Sequence, residues 1–584
     1  MSGISESKRP KERPDNTTTL ANGLEPNGLD GSNISLEERL KESDQPQLLT
    51  GDLEKGSKED EDNRNDIRRF DTNEDVSPSL RRRYTDASSL ILKAHESKEP
   101  LPKMGGGRDY PPSLPDRDLY IVLYDGQDDP LHPYNWRVMK KLLCLTIAAL
   151  SALSVSLGSS MFAEGQQQVQ EVFHVGREVA TLGTSLYVLG FATGPIVWGP
   201  FSELYGRKIV MVLSNIGFIA FAFGCAAAKD IQTVMLCRFF GGCIGAAPLV
   251  TSPAILADLY TGVNRGQVMA FFAMVLFGGP MVGPIIGAFA TKNPHLGWRW
   301  TSYISAFISC LALAMTVLLL PETSHQVILS YKAEKLRRRT GNWGIQSAQE
   351  EISLSMKEIV QKNISRPIVM LLTEPILFLI TLYNSFIYGL LYLLLTAMPL
   401  IFQGRYHFKL GIDVLPYIGI LIGTTIGAVI NVLVEEFISN RLKKTDSKYI
   451  PEYRLIPMMI GSVPFCGGLF WFCWGGDFPE TVHWIVPTIG GAFVGLGLLL
   501  IFLPCFNYII DCYLFFAASA LAGNTFMRSV FGGVFPLFSY QMFVKMQIKY
   551  AGTLLGCVAA VLIPVPILFY KYGHIIRKRS SYAS

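Results

Sequence analysis

A few charged residues of this sequence stand inside or beside long apolar stretches, where charge is costly. Arg238 lies within an apolar stretch at 231–254, and a guanidinium at such a place needs a cavity or a polar partner. Because arginine keeps its proton even when desolvated, Arg238 can hold a fixed positive charge beside a carboxylate that exchanges protons. The candidate carboxylate is Glu164, just beyond the apolar stretch at 142–162. The alternative for Arg238 is a structural arginine bonded to backbone carbonyls.

A second charged site fills a short gap between two apolar stretches, where the sequence GPFSELYGRK begins at Gly199. Gly206 gives the backbone the freedom for a tight reversal, and Arg207 and Lys208 follow it. Glu203 would lie near the carboxyl end of a helix, where the helix dipole disfavours an anion. We therefore expect Arg207 or another cation to pair with Glu203 and to latch one conformation. The alternative is a solvated turn.

Two acidic residues close apolar stretches further along the chain. Asp258 lies at the end of one stretch, and Asp511 lies at the end of another. We expect both to be latch anions, with Arg265 as the candidate partner of Asp258. A solvated helix end is the alternative for each.

Aromatic and polar residues inside two later stretches are candidates for a substrate cavity. Aromatic faces bind flat or cationic compounds, although aromatic residues in such stretches more often pack against neighbouring helices. Arg528, like Arg238, lies inside an apolar stretch, and a functional role and a structural role are equally open for it. The candidates are Tyr383, Asn384, Tyr388, Tyr392, Asn524 and Arg528.

The elements that must position these residues are membrane-spanning helices. The apolar stretches are about 20 residues long, the length that crosses a bilayer as a helix, and none alternates like a barrel strand. Backbone groups cannot stay unpaired in lipid, so each stretch is predicted to be helical. The stretches form two sets of six, at 142–162, 179–201, 209–228, 231–254, 267–290 and 301–320, and at 375–402, 414–437, 455–474, 484–508, 513–539 and 551–570.

The loops between the stretches predict the orientation in the membrane. Lys and Arg number 20 in the loops and tail on one side and eight in the loops on the other. The richer side is cytosolic by the positive-inside rule, so both termini are predicted to be cytoplasmic. The two sets also repeat, since ADLY closes the fourth stretch, IDCY closes the tenth, and FGG follows each. Parallel repeats of this kind place a substrate site between the halves.

The domain organisation follows from the same pattern. Residues 1–135 are polar and are predicted to be a disordered arm. The basic run RRRYTD within this arm would suit a kinase acting on Thr85. Further boundaries are predicted at 136–323 for a first six-helix bundle, 324–370 for a central loop, 371–571 for a second bundle and 572–584 for a tail.

Composition and motifs exclude several function classes. Hydrophobic residues make up 49% of the chain and charged residues 17%. Because nearly half of the charged residues lie in the first 135 residues, the remainder is more apolar than a globular core requires. The ten cysteines show no CxxC pair or metal-binding spacing, so neither a disulfide framework nor a metal site is predicted. No GxxxxGK[ST] motif occurs, so an ion gradient is the predicted energy source. We expect no cofactor, no nucleic-acid partner and no enzymatic activity, and we expect a monomer that takes small organic substrates and protons.

Several motifs resemble those of the major facilitator superfamily. GPFSELYGRK is similar to its signature loop between the second and third helices, and CRFFGGCIGAAP (237–248) to its fourth-helix arginine motif. GGPMVGPIIG (278–287) is similar to the fifth-helix motif of its drug:proton antiporters. LGWRW, LPET, NYIIDCY and NTFMRSVFGGVFPLF resemble the fungal twelve-helix branch that contains the yeast polyamine and multidrug exporters. The resemblance covers residues 108–575.

The resemblance implies an all-α membrane protein with two six-helix bundles, and a role for Arg238 in proton coupling. It also implies that the fifth-helix motif acts as a hinge and seal for export. Its glycines recur every four residues and share one helix face, so close helix packing is the alternative. The candidate residues of this motif are Gly279, Gly283, Pro284 and Gly287.

The predicted function is proton-coupled export of structurally varied organic compounds across the plasma membrane of a fungus. Polyamine export is the alternative within the class. It is weakened because this chain has Thr396 where the family often has a glutamate near the end of the seventh helix. A transporter-like nutrient sensor is a further alternative, disfavoured because neither the arm nor the tail shows the pattern of a regulatory domain.

Overall fold

The computed structural model describes residues 120–126, 128–350, 365–445, 450–513, 516–580 and 582. Within these ranges the secondary structure consists of seventeen α-helices, three short 3₁₀ helices and one isolated parallel bridge between Ile121 and Gln346. Most of the predicted N-terminal arm, including the predicted kinase site at Thr85, lies outside the described residues.

The first bundle contains eight helices along six paths. They are α1 (Val138–Met161), α2 (Gln166–Phe173), α3 (Arg177–Leu204), α4 (Arg207–Ala226), α5 (Ile231–Gly245), α6 (Ala247–Leu259), α7 (Gly262–Lys292) and α8 (Arg299–Leu319). A 3₁₀ turn joins α1 to α2. The helices α5 and α6 form one path interrupted at Ala246, because Pro248 in the first turn of α6 removes a backbone donor.

Two shorter helices, α9 (His325–Thr340) and α10 (Arg366–Thr373), lie between the bundles in the sequence. The second bundle again has six paths. Its helices are α11 (Pro375–Phe402), α12 (Tyr417–Thr445), α13 (Leu455–Asp477), α14 (Ile485–Cys512), α15 (Ala517–Met546), α16 (Ile548–Leu562) and α17 (Pro564–Arg579). Pro564 interrupts the last path between α16 and α17.

Helix length and composition match a membrane protein. In the described part of the chain, eleven helical segments are long and apolar enough to cross a membrane. The twelfth path is α15, whose 30 residues are also long enough. It is less apolar because it carries Asn524, Arg528 and Lys545. The predicted all-α architecture of twelve paths in two six-helix bundles is confirmed.

The two bundles meet along two helix pairs, α3 with α15 and α7 with α12. In the first pair the guanidinium of Arg177 lies over the ring of Tyr540, 3.4 Å from its centroid. A Cβ atom at Gly533 of α15 would lie only 2.7 Å from Leu189 of α3. Small residues at such positions let helix backbones approach closely. The two helix pairs therefore form the main boundary between the halves.

The glycine stripe of α7 packs against α1. A Cβ atom at Gly287 would lie 2.6 Å from the carbonyl oxygen of Met161. Cβ atoms at Gly279 and Gly283 would overlap α1 as well, at Ser156 in the case of Gly279. Close packing within the first bundle, the alternative for this motif, is therefore what the structure shows; the hinge role stays a prediction.

Helix α7 continues through Pro280 and Pro284 without a break. Proline has no backbone N–H, so Pro280 leaves the carbonyl of Leu276, four residues earlier, without its helical donor. The Ser156 hydroxyl of α1 donates to that carbonyl at 2.8 Å. A neighbouring helix thus replaces the missing hydrogen bond, and the proline is tolerated inside an apolar bundle.

The segment that precedes α1 packs against α9. The backbone N–H of Val122 donates to the carbonyl of Gln346, whose own N–H donates to the carbonyl of Tyr120. The Lys332 ammonium group of α9 donates to the carbonyl of Leu123 at 2.9 Å. Lys332 also lies 3.8 Å from the carboxylate of Asp129, and both side chains are buried. These contacts attach the start of the described chain to the helix that follows the first bundle.

Substitution of the α7 glycines tests the packing of α7 on α1. Gly287→Ala should destabilise the protein by about 1–3 kcal/mol, because the new methyl group would press on the α1 backbone. Gly278→Ala on the same helix is the control, since its Cβ would make an ordinary 3.5 Å contact with Leu421. Thermal unfolding of the purified variants in detergent measures both effects. Equal unfolding midpoints for the two variants would contradict this packing.

The contact between the leading segment and α9 should weaken in acid. The rings of His132 and His325 lie 4.7 Å apart between Tyr124 and Tyr134. Burial, together with the charges of His132 and Arg207, lowers the pKa of His325 from 6.5 to about 4.

The docked segment therefore favours neutral His325, whereas the undocked segment takes up a proton as the pH falls below about 6.5. Docking loses stability as the pH falls from that value towards 4. Hydrogen exchange of residues 121–126, corrected for intrinsic rates, should be faster at pH 5.5 than at pH 7.5. The His325→Gln variant should lose most of this difference. Equal protection of the wild-type segment at both pH values would contradict the expectation.

Candidate functional site: charged clamps and the cavity between the bundles

A group of charged residues ties the turn between α3 and α4 to the ends of α6 and α8; we call Arg207, Asp258 and Glu322 the first clamp. Nε of Arg207 lies 3.2 Å from Oδ2 of Asp258, and Nη1 donates to the Ser202 hydroxyl at 2.8 Å. The Glu322 carboxylate accepts from the backbone N–H groups of Arg207 and Lys208 at 2.8 and 3.0 Å. The clamp thus joins three distant parts of the sequence.

Glu322 occupies the amino end of α4, where the helix dipole and unpaired N–H groups favour an anion. The turn that exposes these groups contains Gly206 with φ of 96°. A Cβ atom at Gly206 would lie 2.8 Å from the carboxyl carbon of Glu322, so a larger residue would be strained and would displace the anion. The structure gives Gly206 the turn position that the sequence predicts.

The predicted pairing of Glu203 with Arg207 does not form in this structure. Arg207, the expected partner of Glu203, forms an ion pair with Asp258. Asp258 was expected to pair with Arg265. Glu203 is exposed and forms no salt bridge with another described residue. The reason is the side of α3 on which each residue lies: Ser202, directly before Glu203, is buried and faces Arg207.

Other parts of this turn have structural partners. The side-chain amide of Gln349 donates to the carbonyls of Glu203 and Leu204, both at 3.0 Å. The Lys208 ammonium group donates to the carbonyl of Val317 at 3.1 Å. A Cβ atom at Gly199 would meet nothing within 4 Å, so packing does not require a glycine there.

Sequence reasoning missed Glu322, the residue that holds the turn. A signal for it was present, because the LPET motif places this glutamate directly after the helix that ends the first bundle. The motif served only as a mark of family resemblance. Nothing in the sequence indicated which helix end its carboxylate would meet.

A second clamp, Arg454 with Asp511 and Glu435, lies at the equivalent turn of the second bundle. Nε of Arg454 lies 3.0 Å from Oδ2 of Asp511, and Nη1 lies 2.8 Å from Oε1 of Glu435. The Glu435 carboxylate also lies against Gly266 at the start of α7, so this clamp reaches the first bundle. The sequence repeat between the halves therefore corresponds to a repeated clamp, and both clamps lie at the same end of the bundles.

Arg238 is buried in the first bundle, with 5% of its surface exposed. Its guanidinium lies 4.2 and 4.6 Å from the ring centroids of Tyr187 and Phe162. This is the geometry of the structural alternative, in which backbone carbonyls compensate the charge. The accepting carbonyls are those of Gly158 at 2.7 Å, Gly183 at 2.9 Å and Ser159 at 3.3 Å.

A hydrogen bond connects the surroundings of Arg238 to the second bundle. The hydroxyl of Tyr392 on α11 donates to the hydroxyl of Ser159 at 3.0 Å. The carbonyl of the same serine accepts from Arg238. Arg238 therefore does not face the boundary between the halves, and Ser159 lies between it and the second bundle.

A small cavity of about 10 Å³ lies at that boundary, enough for roughly one water molecule. Ser156 and Phe277 of the first bundle line it, together with Tyr388 and Arg528 of the second. Arg528 is 6% exposed, and its Nε has no hydrogen-bonding partner among the described residues. The guanidinium carbon lies 5.0 Å from the ring centroids of both Tyr388 and Phe502.

The other four substrate-cavity candidates do not line this cavity. The side-chain amide of Asn384 donates to Asn524 at 3.0 Å, which joins α11 to α15. Tyr383 is fully buried, and its hydroxyl has no partner within the described ranges. Tyr392 is bonded to Ser159. In this conformation these four residues contribute to packing, and Tyr388 and Arg528 remain as lining residues.

At the end of the bundles opposite the clamps, two carboxyl groups with a buried oxygen each lie near the boundary between the halves. Oε1 of Glu164 and Oδ2 of Asp413 are both buried and have no hydrogen-bonding partner among the described residues. Their charges interact with each other and with Tyr417. Burial raises the pKa of Asp413, although the N–H of Gly411 donates to its other oxygen at 2.8 Å. Asp413 was not predicted from the sequence.

Two repeated bundles of membrane-spanning helices, with a cavity where they meet, are the architecture of a membrane transporter. The chain belongs to the Major Facilitator Superfamily, which it matches over residues 144–536. It is 55% identical over 518 residues to the major facilitator superfamily multidrug transporter FLU1 of Candida albicans, covering 89% of this chain and 85% of that protein. It is 51% identical over 497 residues to the multidrug transporter TPO1_2 of Candida glabrata, covering 84% of each.

Among solved structures, the chain is similar to the proton:xylose symporter XylE bound to 6-bromo-6-deoxy-D-glucose. The TM-score is 0.54 with 16% sequence identity, and the match covers 75% of this chain and 96% of that protein. This likeness concerns the fold alone. It agrees with the resemblance to the superfamily that the sequence motifs predicted.

Removal of the Glu322 charge tests the first clamp. Glu322→Gln should lower stability by about 1–3 kcal/mol, because a charged acceptor of two backbone N–H groups is lost at a helix amino end. Glu203→Gln makes the same change of charge at an exposed site of the same turn and should change stability little. Thermal unfolding in detergent compares the two. An equal loss in both variants would show that Glu203, and not only Glu322, holds the turn.

Proposed function

We propose that this protein exports structurally varied organic compounds across the plasma membrane in exchange for protons, by alternating access. The observation that carries the proposal is the cavity at the boundary of two six-helix bundles, where repeated transporters hold their substrates. The names of the two relatives described above, both multidrug transporters with more than half of the aligned residues identical, support the class of substrate.

The clamp end of the bundles is proposed to face the cytosol. Loops and tail on that side carry 20 Lys and Arg residues, against eight in the loops of the opposite side, which supports this orientation. Both termini then lie in the cytosol. The protein is further proposed to act as a monomer, since each chain holds a complete pair of bundles.

Glu164 and Asp413 are the proposed proton carriers. Each has a buried oxygen without a hydrogen-bonding partner among the described residues, and a buried unpaired charge is costly. Protonation removes that cost, so these groups can bind a proton in one conformation and release it in another. Their place near the boundary between the halves makes their exposure depend on how the bundles meet.

Arg238 is proposed to affect coupling by positioning. Its three carbonyl partners belong to α1 and α3. One of these partners, Ser159, also accepts a hydrogen bond from Tyr392 of the second bundle through its hydroxyl group. A change at the boundary between the halves therefore reaches Arg238 through one serine. Its proton-coupling role stays a proposal on this basis.

The export proposal is tested with purified protein in liposomes that carry a pH gradient and no ATP. A panel of radiolabelled neutral aromatic compounds should accumulate against its concentration gradient only while the pH gradient lasts. A protonophore should abolish the accumulation. Accumulation that survives the protonophore would overturn proton coupling, and no transport of any member of the panel would overturn multidrug export.

The proposed proton carriers are tested in the same liposomes. Glu164→Gln and Asp413→Asn should each reduce proton-driven accumulation by at least about tenfold, because the proton-binding group is lost. Exchange of labelled for unlabelled substrate without a gradient should persist, since it needs no net proton transfer. Glu171→Gln, an exposed residue of α2, is the matched control. A parallel loss of driven transport and exchange would indicate a structural role instead.

A further inference from the structure

Arg528 differs from the other buried arginine in how its charge is compensated. Arg238 donates to three carbonyls, whereas no hydrogen bond or salt bridge joins Arg528 to any other described residue. Arginine does not lose its proton when buried, so it cannot escape this cost by becoming neutral. A cation of this kind on the wall of a cavity indicates that its partner comes from outside the chain.

The surroundings of Arg528 are aromatic and free of acidic groups. Two aromatic rings, Tyr388 and Phe502, lie 5.0 Å from the guanidinium carbon and compensate part of its charge. Phe277 packs edge-on against Phe502, with centroids 4.5 Å apart. Among the described residues that line the cavity, the polar ones besides Arg528 are Ser156 and Tyr388, and none carries a carboxylate.

The buried carboxylates of the described chain all lie at or beyond helix ends and not in the middle of the bundles; they are Asp129, Glu374, Asp413, Glu452 and Asp477. Glu164 and Asp413 lie at one end of the bundles, and Asp258 and Asp511 belong to the clamps at the other. The middle of the boundary between the halves therefore carries an uncompensated positive charge. This field favours an anion in the cavity and opposes a polycation.

We propose that the central site prefers monovalent organic anions with a flat aromatic body, and that Arg528 is the residue that determines this preference. The inference rests on the proposed export function and names its substrate class. A carboxylate pairs with a guanidinium through two parallel hydrogen bonds, and the apolar body would lie among Tyr388, Phe277 and Phe502. The cavity of about 10 Å³ is far smaller than such a compound, so the bundles must separate to admit it.

The wild-type protein is tested with three probes of one skeleton: 1-naphthaleneacetate, the neutral 1-naphthaleneacetamide and the cationic 1-naphthylethylamine. Dissociation constants are measured by equilibrium binding to the purified full-length protein. The carboxylate should bind more than about tenfold tighter than the amide, and the amine and spermidine should compete weakly. Binding of the amine or spermidine equal to or tighter than that of the carboxylate would overturn the proposal.

Variants then assign the preference to Arg528. Arg528→Gln should weaken binding of the carboxylate by more than about tenfold and leave that of the amide within about twofold. Arg528→Lys should retain part of the preference, because the charge remains while the paired hydrogen bonds do not. Lys545→Gln removes the same charge from an exposed position of the same helix and is the matched control.

Equal weakening of carboxylate and amide in Arg528→Gln would assign the residue a structural role and overturn the proposal. Should this variant fail to fold, the ranking of the three probes on the wild-type protein decides alone. Failure of the export proposal is distinguishable, because proton-driven accumulation of neutral compounds is measured separately. If the protein binds the carboxylate preferentially but no neutral compound accumulates in the liposomes, the export proposal is contradicted and the proposal of an anion site is not.

Discussion

Charge inside this helical bundle has to be compensated by the protein itself, because lipid offers no hydrogen-bonding partner. The structure does this in three ways. Backbone carbonyls surround Arg238, a carboxylate meets Arg207, and aromatic rings flank Arg528. The first two leave their guanidinium groups bonded, whereas the third leaves donors open. The three arginines also differ in where they lie. Arg238 lies within a bundle and Arg207 at a helix end, whereas Arg528, which has no hydrogen-bonding partner among the described residues, lies between the bundles.

The clamps suit a contact that must form and break. Their ion pairs are partly exposed, with side-chain exposures between 13% and 28%, so water already shares in stabilising the charges. Such pairs contribute less than fully buried ones and leave a smaller unpaired cost when they open. The Glu322 carboxylate adds fixed geometry to the first clamp, because it accepts from a helix amino end whose donors have no intrahelical partner. The clamps thus select one arrangement of helix ends without locking it.

Packing is close within the first bundle and less complete at the boundary between the bundles. The contact of α7 with α1 relies on glycines, and the Ser156 hydroxyl supplies the hydrogen bond that Pro280 removes, so these two helices pack closely together. The boundary between the bundles contains the small cavity and the unpaired Arg528 instead. Movement of one bundle against the other would enlarge that cavity while each bundle keeps its internal contacts. A rigid half on each side of an incompletely satisfied boundary is what alternating access requires.

The sequence by itself determined the twelve helical paths and their division into two repeated sets, because the bilayer fixes helix length and composition locally. Its motifs indicated the superfamily by resemblance. It also marked Arg238 and Arg528 as costly and Gly206 as a turn residue. Only the tertiary structure decided the partners. Glu322 reaches the backbone of Arg207 across 115 positions of the chain, and several anions and cations of equal charge end neighbouring helices. Which of them meet depends on helix angles and on which side of its helix each residue lies, and no local pattern encodes contacts over that separation.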